Sequence, residues 1–281
     1  MQTTTHTTTQ PLTLVIGAKG KTGRRVLARL ERAGLPCRGV SRSTPTPFDW
    51  HDRTTWPAAL AGVKRAYITY HPDLAMPGAD DDIRALADMA VTMGVERLVL
   101  LSGRGEPAAR DCERIIEASG ADWTVVRADW FMQNFDEGHF ADMVRAGVIA
   151  MPQRTEGTAF VDADDIADVV FAALTEPGHA GEIYEVTGTR LLTFDDVAAE
   201  LTEASGRRIA FVEVTAEAWI AGAVEAGESP EVAAFLVELM DMILDGRNAH
   251  LCDGVQRAIG RPPRDFASYA RSIAATGAWA A

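Results

Sequence analysis

The chain has 281 residues, of which 47% are hydrophobic and 24% charged, and its formal net charge is −13 at pH 7. This length suits one α/β domain with a modest appended lobe, and the apolar fraction excludes a wholly disordered chain. So acidic a surface repels phosphate backbones, which argues against a nucleic-acid partner. The sequence contains no long uncharged apolar run, so no membrane-spanning helix is predicted.

Residues 1–10 are rich in threonine and lack the basic and apolar regions of a secretory signal, so we expect a disordered tail. Beyond them, apolar runs of strand length alternate with helical patterns. The predicted strands are 12–16, 36–41, 64–70, 96–102 and 123–127, and the predicted helices are 24–33, 80–93 and 106–119. This alternation is typical of βαβ units, so we predict a Rossmann-type, doubly wound parallel sheet over residues 11–155.

The second half of the chain has a different pattern. Short strands are predicted at 158–161 and 182–186, and helices at 164–174, 193–204 and 216–244, the last broken at 227–230. Residues 158–190 therefore add sheet elements to the first domain, whereas residues 191–281 form a small, mainly helical substrate lobe.

The sequence GAKGKTG, residues 17–23, follows the first buried strand and opens the first helix. In a dinucleotide site such glycines allow a tight turn, a close approach of the pyrophosphate, and close packing of helix on strand. An ordinary strand–helix turn is the alternative, but the placement favours the dinucleotide site. The predicted cofactor contacts of this turn are Gly17, Lys19, Gly20, Lys21, Thr22 and Gly23.

The end of the second strand indicates which dinucleotide binds. An acidic residue there would bind the ribose 2′-hydroxyl of NAD, whereas an arginine accepts the 2′-phosphate of NADP. The strand ends in Arg42 and Ser43 with no acid, and Arg24 offers a second positive charge. This pattern favours NADP(H), the alternative being that Arg42 is a solvated loop residue.

Five further residues are predicted to reach the cofactor, because ligands bind beyond the carboxyl ends of the strands in such sheets. Asp49 and Trp50 are placed beside the adenine, and Thr69 and Tyr70 end the third strand. Ser102 ends the fourth strand on the same rim.

Several segments resemble one known family, the NmrA-like branch of the atypical short-chain dehydrogenase/reductases. They are GAKGKTG, Phe48-Asp49-Trp50, VERLVLLSG at 95–103, WTVVRADWFMQNF at 123–135, AFVDADDIADVV at 159–170, GEIYEVTG at 181–188 and LLTFDDVAAEL at 191–201. The resemblance implies a Rossmann domain with a small C-terminal lobe and NADP(H) as ligand. The family includes NADPH-dependent quinone reductases, reductases of plant phenolics, iminium reductases, and NADP-binding regulators without known catalysis.

One feature of typical short-chain dehydrogenases is missing from the sequence. They use a tyrosine and a lysine four residues later as proton donor and partner, and the segment after Ser102 contains neither. Rough placement puts Glu106 and Arg110 at the two positions. An arginine does not shuttle protons at neutral pH, and a glutamate needs a raised pKa to donate one. We therefore expect Glu106 and Arg110 to form an ion pair on a helix surface.

The segment after the fifth strand offers flat apolar surface and one amide. Trp130, Phe131, Asn134 and Phe135 are predicted to line the substrate pocket, although such clusters also form plain cores. Asn134 is the best polar candidate for orienting a ligand. A histidine ordinarily has a pKa near neutrality, so His139 is a candidate proton donor. It is the weaker candidate, because lone histidines are more often structural or exposed.

No metal site is predicted. Asp162, Asp164 and Asp165 suit a helix N-terminus better than a metal. The three cysteines are far apart and odd in number: Cys37, Cys112 and Cys252. They form neither a metal spacing nor a disulfide framework, so a reducing cytoplasm is the expected compartment.

Two functions fit these features. The first is an NADPH-dependent reductase that transfers hydride to a small conjugated or electrophilic substrate such as a quinone, enone or imine, without a Tyr/Lys dyad. The alternative is a non-catalytic NADP(H) sensor that regulates a protein partner. Either is expected to be free of membranes and nucleic acid, and a homodimer is conceivable.

Overall fold

The computed structural model describes residues 10–152 and 157–280, so the expected tail falls almost wholly outside the described residues. The strands of the main sheet are β1 (Leu12–Ile16), β2 (Cys37–Val40), β3 (Val63–Ile68), β4 (Arg97–Gly103), β5 (Asp122–Ala128) and β7 (Glu182–Val186). A second, two-stranded sheet contains β6 (Val148–Met151) and β8 (Ala210–Glu213).

The helices are α1 (Lys21–Arg32), α2 (Trp56–Leu60), α3 (Ala79–Thr92), α4 (Pro107–Glu117), α5 (His139–Ala146), α6 (Ala163–Thr175), α7 (Phe194–Ser205), α8 (Ala216–Glu225), α9 (Pro230–Ile243), α10 (Gly254–Ile259) and α11 (Phe266–Ala275). Among residues 10–152 and 157–280, none of them has the length and apolar character needed to span a bilayer.

The main sheet is parallel throughout and has the strand order β2-β1-β3-β4-β5-β7. The chain passes from β2 across β1 to reach β3, so the strand order reverses between β1 and β3. A dinucleotide binds at such a switch point, beyond the carboxyl ends of the strands. The predicted doubly wound Rossmann architecture is confirmed.

Both faces of the sheet are covered, because alternate residues of each strand point to opposite faces. Val15 packs with Val26 of α1 and Ile166 of α6 on one face. Leu14 belongs to the core on the other face, with Ile83 of α3. Apolar side chains on both faces explain why the strands appear in the sequence as continuous apolar runs.

A third core builds the lobe, and it differs from the prediction. Its buried side chains include Val144 and Ile149 as well as Leu201 and Trp219, so the chain enters the lobe near Met132, leaves it for α6 and β7, and returns after residue 190. Neither α5 nor the parallel β6–β8 pair was expected, and this pair adds strands to a lobe that was predicted to be mainly helical.

Two further predictions for the second half of the chain concern a strand and a break between helices. The predicted strand at 158–161 is wrong, since Thr158 and Val161 form only isolated bridges, to Leu192 and Phe131. The predicted break at 227–230 is confirmed, with α8 ending at Glu225 and α9 beginning at Pro230.

Candidate functional site

The turn between β1 and α1 accepts only glycine at two of its positions. Gly17 has a φ of +73°, and a Cβ there would lie 2.3 Å from Thr69 Oγ1. A Cβ on Gly23 would lie 2.2 Å from the Gly17 carbonyl oxygen. Because these contacts are with a neighbouring strand end and with backbone, the glycines bring α1 close to the sheet, as a dinucleotide turn requires.

The first turn of α1 leaves its backbone amides available. Gly20 is the N-cap and provides no side-chain hydrogen bond, and the first turn contains no acidic residue. Unpaired amides and the positive end of the helix dipole favour a bound anion. The residues present therefore fit the pyrophosphate of a dinucleotide.

A cavity of about 500 Å³ opens beside this turn, at the switch point of the sheet. Its wall includes ten of the thirteen residues predicted to contact the cofactor: Gly17, Lys19, Gly20, Lys21, Thr22, Arg42, Asp49, Trp50, Thr69 and Tyr70. It continues past His71 and Pro72 to Leu101 and Phe131, at the ends of β4 and β5. Its wall thus passes the ends of five strands, from β2 to β5, which is the path of an extended two-part ligand.

At the β2 end of the cavity, positive charge surrounds a hydroxyl. Lys19 Nζ donates to Ser43 Oγ at 2.8 Å, and the exposed Arg42 lines the wall beside it. Arg24 does not join them, since its guanidinium is hydrogen-bonded to Glu137. The second positive charge beside Arg42 therefore comes from Lys19, not from Arg24 as the sequence suggested.

Aromatic rings form the wall at the same end. Trp50 donates its indole N–H to the Thr69 carbonyl at 3.2 Å, and its ring centroid lies 4.7 Å from that of Tyr70. Tyr70 is fixed in turn by a 2.9 Å bond to Asp82. Such held rings offer a firm flat surface to a planar base.

Lys21 lines the cavity at the first position of α1. Burial lowers the pKa of its ammonium group, and the nearby carboxylates of Glu137 and Asp136 only partly offset that effect. An anion beside Lys21 would restore the favourable surroundings of the charged amine.

Ser102 does not face the cavity. It is buried and donates to Glu113 Oε1 at 2.7 Å, and Glu113 is held by Arg127. The cavity wall at this strand contains its neighbour Leu101 instead, because successive strand residues point to opposite faces. The predicted cofactor contact at Ser102 is wrong.

The segment predicted to line the substrate pocket divides into two. Phe131 lies on the cavity wall, and Trp130 is half-buried against Phe140 and Phe194. Phe135 is completely buried in the lobe core, which leaves it no surface for a substrate, so we remove it from the pocket.

Neither of the two weak catalytic candidates, Asn134 and His139, is found on the cavity wall among the described side chains. Asn134 is half-buried in the short 3₁₀ helix Met132–Phe135 and is not among the residues that line the cavity. His139 begins α5, and its side chain lies outside the described residues.

Glu106 differs from its expected surface position. It is only 7% exposed, and it meets Asp73 in place of Arg110. Arg110 pairs with Glu113 at 3.3 Å. The expected ion pair between Glu106 and Arg110 is therefore wrong, and sequence reasoning missed Asp73, for which only its position soon after β3 was a signal.

A polar cluster joins the end of β7 to the loop that precedes α10. Glu185, His250 and Cys252 hold their ligand atoms within 4.8 Å of one another, as a metal site requires. However, the Arg104 guanidinium donates to His250 Nε2 at 3.0 Å and to Cys252 Sγ at 3.3 Å, and it pairs with Asp129 at 2.5 Å. The lone pairs that would bind a metal are thus engaged by a cation, and the absence of a metal stays a prediction.

Comparison with known proteins extends these observations. The chain is 31% identical to an NAD(P)H azoreductase from Xenophilus azovorans, over 93% of this chain and 98% of that protein. It is 32% identical to an agroclavine dehydrogenase from Claviceps fusiformis, over 91% and 95% of the two chains. The fold matches an NADPH-dependent quinone oxidoreductase from Escherichia coli with a TM-score of 0.76 at 20% identity, over 93% of this chain and 99% of that one. No family model matches the chain.

The switch-point cavity, the glycine turn and the full-length relatives together define an NAD(P)H-dependent oxidoreductase with a Rossmann-type fold. Similarity above 30% extends over almost the whole chain. The chain belongs to the NmrA-like family of atypical short-chain dehydrogenase/reductases.

Proposed function

We propose that this protein is an NADPH-dependent reductase of small conjugated or electrophilic acceptors, such as quinones, enones, imines and azo compounds. The observation that supports this most directly is the single cavity that joins the glycine turn to Phe131 and Leu101. A dinucleotide bound at the turn would place its second half at these apolar residues, where a flat acceptor can stack. The names of the relatives cover azo, alkaloid and quinone chemistry.

Lys19, Arg42 and Ser43 would hold the 2′-phosphate of the cofactor. Lys19 already approaches the Ser43 hydroxyl, so a phosphate arriving there meets an ammonium, a guanidinium and a hydroxyl. Hydrogen bonds between charged groups contribute about 1.5–3 kcal/mol each. The proposal of NADPH over NADH rests on this cluster.

When bound, the reduced nicotinamide supplies a hydride, and the protein supplies orientation and a dry surface. Phe131 and Leu101 form that surface at the ends of β5 and β4. A conjugated acceptor spreads the added electron pair over its own bonds, so a Tyr/Lys dyad is dispensable. The relatives favour this reductase over the alternative of a non-catalytic sensor.

Calorimetric titration tests the cofactor. We expect NADPH to bind much more tightly than NADH, and Lys19→Ala and Arg42→Ala each to weaken NADPH about 10-fold or more while leaving NADH unchanged. Arg32→Ala is a matched control, because Arg32 is exposed at the far end of α1 and its side chain donates to the Ala28 carbonyl, away from the cavity. Equal binding of NADPH and NADH would show that the cluster does not read a 2′-phosphate.

Turnover is tested by following NADPH oxidation with menadione, an N-methylated cyclic iminium salt, an enone and an azo dye. Oxidation with at least one acceptor is expected. If NADPH binds tightly but none of these acceptors is reduced, the result would support the non-catalytic NADP(H) sensor over the reductase.

The compartment and the assembly are further proposals. We place the protein in the cytoplasm because all three cysteines are free. The possible homodimer and the lack of a nucleic-acid partner stay predictions, which sedimentation with and without DNA measures.

A further inference from the structure

Two carboxyl groups meet on adjacent loops at the carboxyl edge of the sheet. Asp73 lies five residues beyond β3, and Glu106 lies three residues beyond β4 as the N-cap of α4. Because β3 and β4 are neighbours, the two loops run side by side. The Glu106 carboxyl is buried within hydrogen-bonding reach of the half-buried Asp73 carboxyl.

A proton on this pair would satisfy a carboxyl oxygen that otherwise has no hydrogen-bond partner. Glu106 Oε2 is buried and finds no hydrogen-bond donor among residues 10–152 and 157–280. Two ionised carboxylates only accept hydrogen bonds, whereas one protonated member donates to the other. Gly103 leaves the space for Glu106, since a Cβ there would lie 2.0 Å from Glu106 Oε1.

The surroundings of the pair also favour the proton. Burial raises the pKa of Glu106 well above its usual range, and the carboxylates of Asp73, Glu113 and Asp129 raise it further. Burial likewise raises the pKa of Asp73, although the Ala75 amide, which donates to Asp73 at 2.7 Å, and the hydrogen bond with Glu106 both oppose the rise.

The cations near the pair are engaged elsewhere. Arg104 pairs with Asp129, while Arg110 and Arg127 pair with Glu113. Cys112 packs beside the loop that carries Asp73, and burial raises the pKa of its thiol to about 12, so it is neutral. None of these groups neutralises a second negative charge on the pair.

The pair lies next to the reacting half of the proposed cofactor path. The adenosine half belongs to the β1–β2 side of the switch point, so the nicotinamide half falls over the ends of β3, β4 and β5. His71 and Pro72, which immediately precede Asp73, line the cavity there, together with Leu101 and Phe131.

We propose that Asp73 and Glu106 share one proton and that Asp73 delivers it to the substrate as the hydride arrives. Asp73 is the catalytic donor, because it is the half-buried member and directly follows the cavity wall. Glu106 is a positioning residue that keeps the proton on the pair. This inference rests on the proposed reductase function.

The step balances for a neutral acceptor such as an enone. The hydride forms a new C–H bond at the β-carbon, and the C=C π bond breaks toward the carbonyl. The resulting enolate takes the proton from the carboxyl pair, which is left as two carboxylates and regains a proton from water. The substrate is reduced by two electrons, and NADPH is oxidised to NADP⁺.

A cationic acceptor needs no such proton. An iminium ion that receives a hydride becomes a neutral amine, so the pair contributes nothing to its reduction. The proposal therefore separates substrates by charge, which a merely structural role of Asp73 and Glu106 would not do.

The kinetic test compares menadione and 2-cyclohexenone with N-methyl-3,4-dihydroisoquinolinium as acceptors. We expect Asp73→Asn to lower the rate with the neutral acceptors about 10²-fold and to leave the iminium rate unchanged. Glu106→Gln should also lower the rate with the neutral acceptors and leave the iminium rate unchanged, because it removes the carboxyl group that keeps the shared proton beside Asp73. Asp111→Asn is the control, since Asp111 is exposed on α4 and, within the described part of the chain, forms an ion pair only with Arg114.

A second readout needs neither cofactor nor substrate. Infrared spectra in D₂O at pH 7 should contain the carbonyl stretch of a protonated carboxylic acid, although ordinary carboxyl groups, with pKa values near 4, are ionised there. The band should vanish in Glu106→Gln, shift in Asp73→Asn, which removes the hydrogen-bond partner of Glu106, and persist unchanged in Asp111→Asn. Its absence from the wild-type protein would overturn the inference even if both variants fail to fold.

The outcomes separate this inference from the function on which it rests. Equal losses with neutral and cationic acceptors, or no loss with either, would refute the proton role and leave the reductase intact. No turnover of any acceptor by the wild-type protein would refute the reductase, and the proton role with it.

Discussion

The carboxylate of Glu113 is almost completely buried in α4 and serves three neighbours. It accepts from Ser102 at 2.7 Å and from Arg127 at 2.6 Å, and Arg110 approaches from the helix surface. A buried ion that loses its partner is strongly destabilising, because its charge stays out of water. Glu113 thus joins α4 to the ends of β4 and β5.

We expect Glu113→Gln to lower the free energy of unfolding by about 3 kcal/mol, at the low end for a broken buried pair because Arg127 keeps its contact with Glu185. Asp111→Asn, which removes an exposed pair on the same helix, should change it little. Urea unfolding at pH 7 measures both. A loss below about 1 kcal/mol for Glu113→Gln would contradict this account.

At this scale the sequence predicted the chemistry of the cofactor turn better than its partners. Glycine spacing and Arg42 follow from local order, because a turn and a strand end are sequence neighbours. The Lys19–Ser43 bond, the diversion of Arg24 to Glu137, and the meeting of Asp73 with Glu106 each join distant segments. Such pairs depend on tertiary packing, which a residue pattern does not encode.

Among the elements, helix α8 contains a glycine at a position where the backbone and the surrounding space would also accept alanine. Gly222 lies exposed in the helix interior, and a Cβ there would meet nothing within 4 Å. Glycine in a helix costs about 0.5–1 kcal/mol relative to alanine, because it loses more backbone freedom on folding.

Gly222→Ala should therefore raise the free energy of unfolding by about 0.5–1 kcal/mol. The contrasting variant is Gly227→Ala just beyond the helix, where a φ of +105° would strain alanine and should destabilise. Thermal unfolding of the two variants gives the signs, and a destabilised Gly222→Ala would show that α8 has an unrecognised contact there.

Strong local signals made most elements predictable. Thr193 caps α7 through a reciprocal box with Asp196, which the spacing had indicated. The pair β6–β8 was missed because each strand has only four residues and its partner lies far along the chain. The segment at 158–161 has strand-like composition, yet it passes between the sheet and the lobe and pairs only in single bridges.

For the molecule as a whole, charges clamp α1, α6 and the segment after α10 together. Arg29 bonds Asp168 at 2.6 Å, and Arg261 and Arg264 reach both Asp168 and the fully buried Asp165. Burial alone would raise the pKa of Asp168, but the arginines, Arg29 first, outweigh it and hold that pKa below its usual value.

Because of these ion pairs, we expect the free energy of unfolding to fall as the pH is lowered. Because the pKa of Asp168 is lower in the folded state, the unfolded state binds more protons, and the stabilisation present above about pH 4 is lost as the pH falls below it. We expect Asp168→Asn to cost about 2 kcal/mol at pH 7, and the difference from the wild-type protein to shrink progressively as the pH falls below about 4. Urea unfolding across this range would contradict the clamp if the difference stayed constant.

The interrupted path of the chain through its lobe has a consequence for synthesis on the ribosome. Val148 of β6 emerges roughly 60 residues before its partner Ala210 of β8. At about 5–20 residues per second, the apolar face of that first segment waits about 3–12 s for the strand that pairs with it. The Rossmann sheet can complete itself with β7 during that interval, so the lobe is completed after the sheet during synthesis.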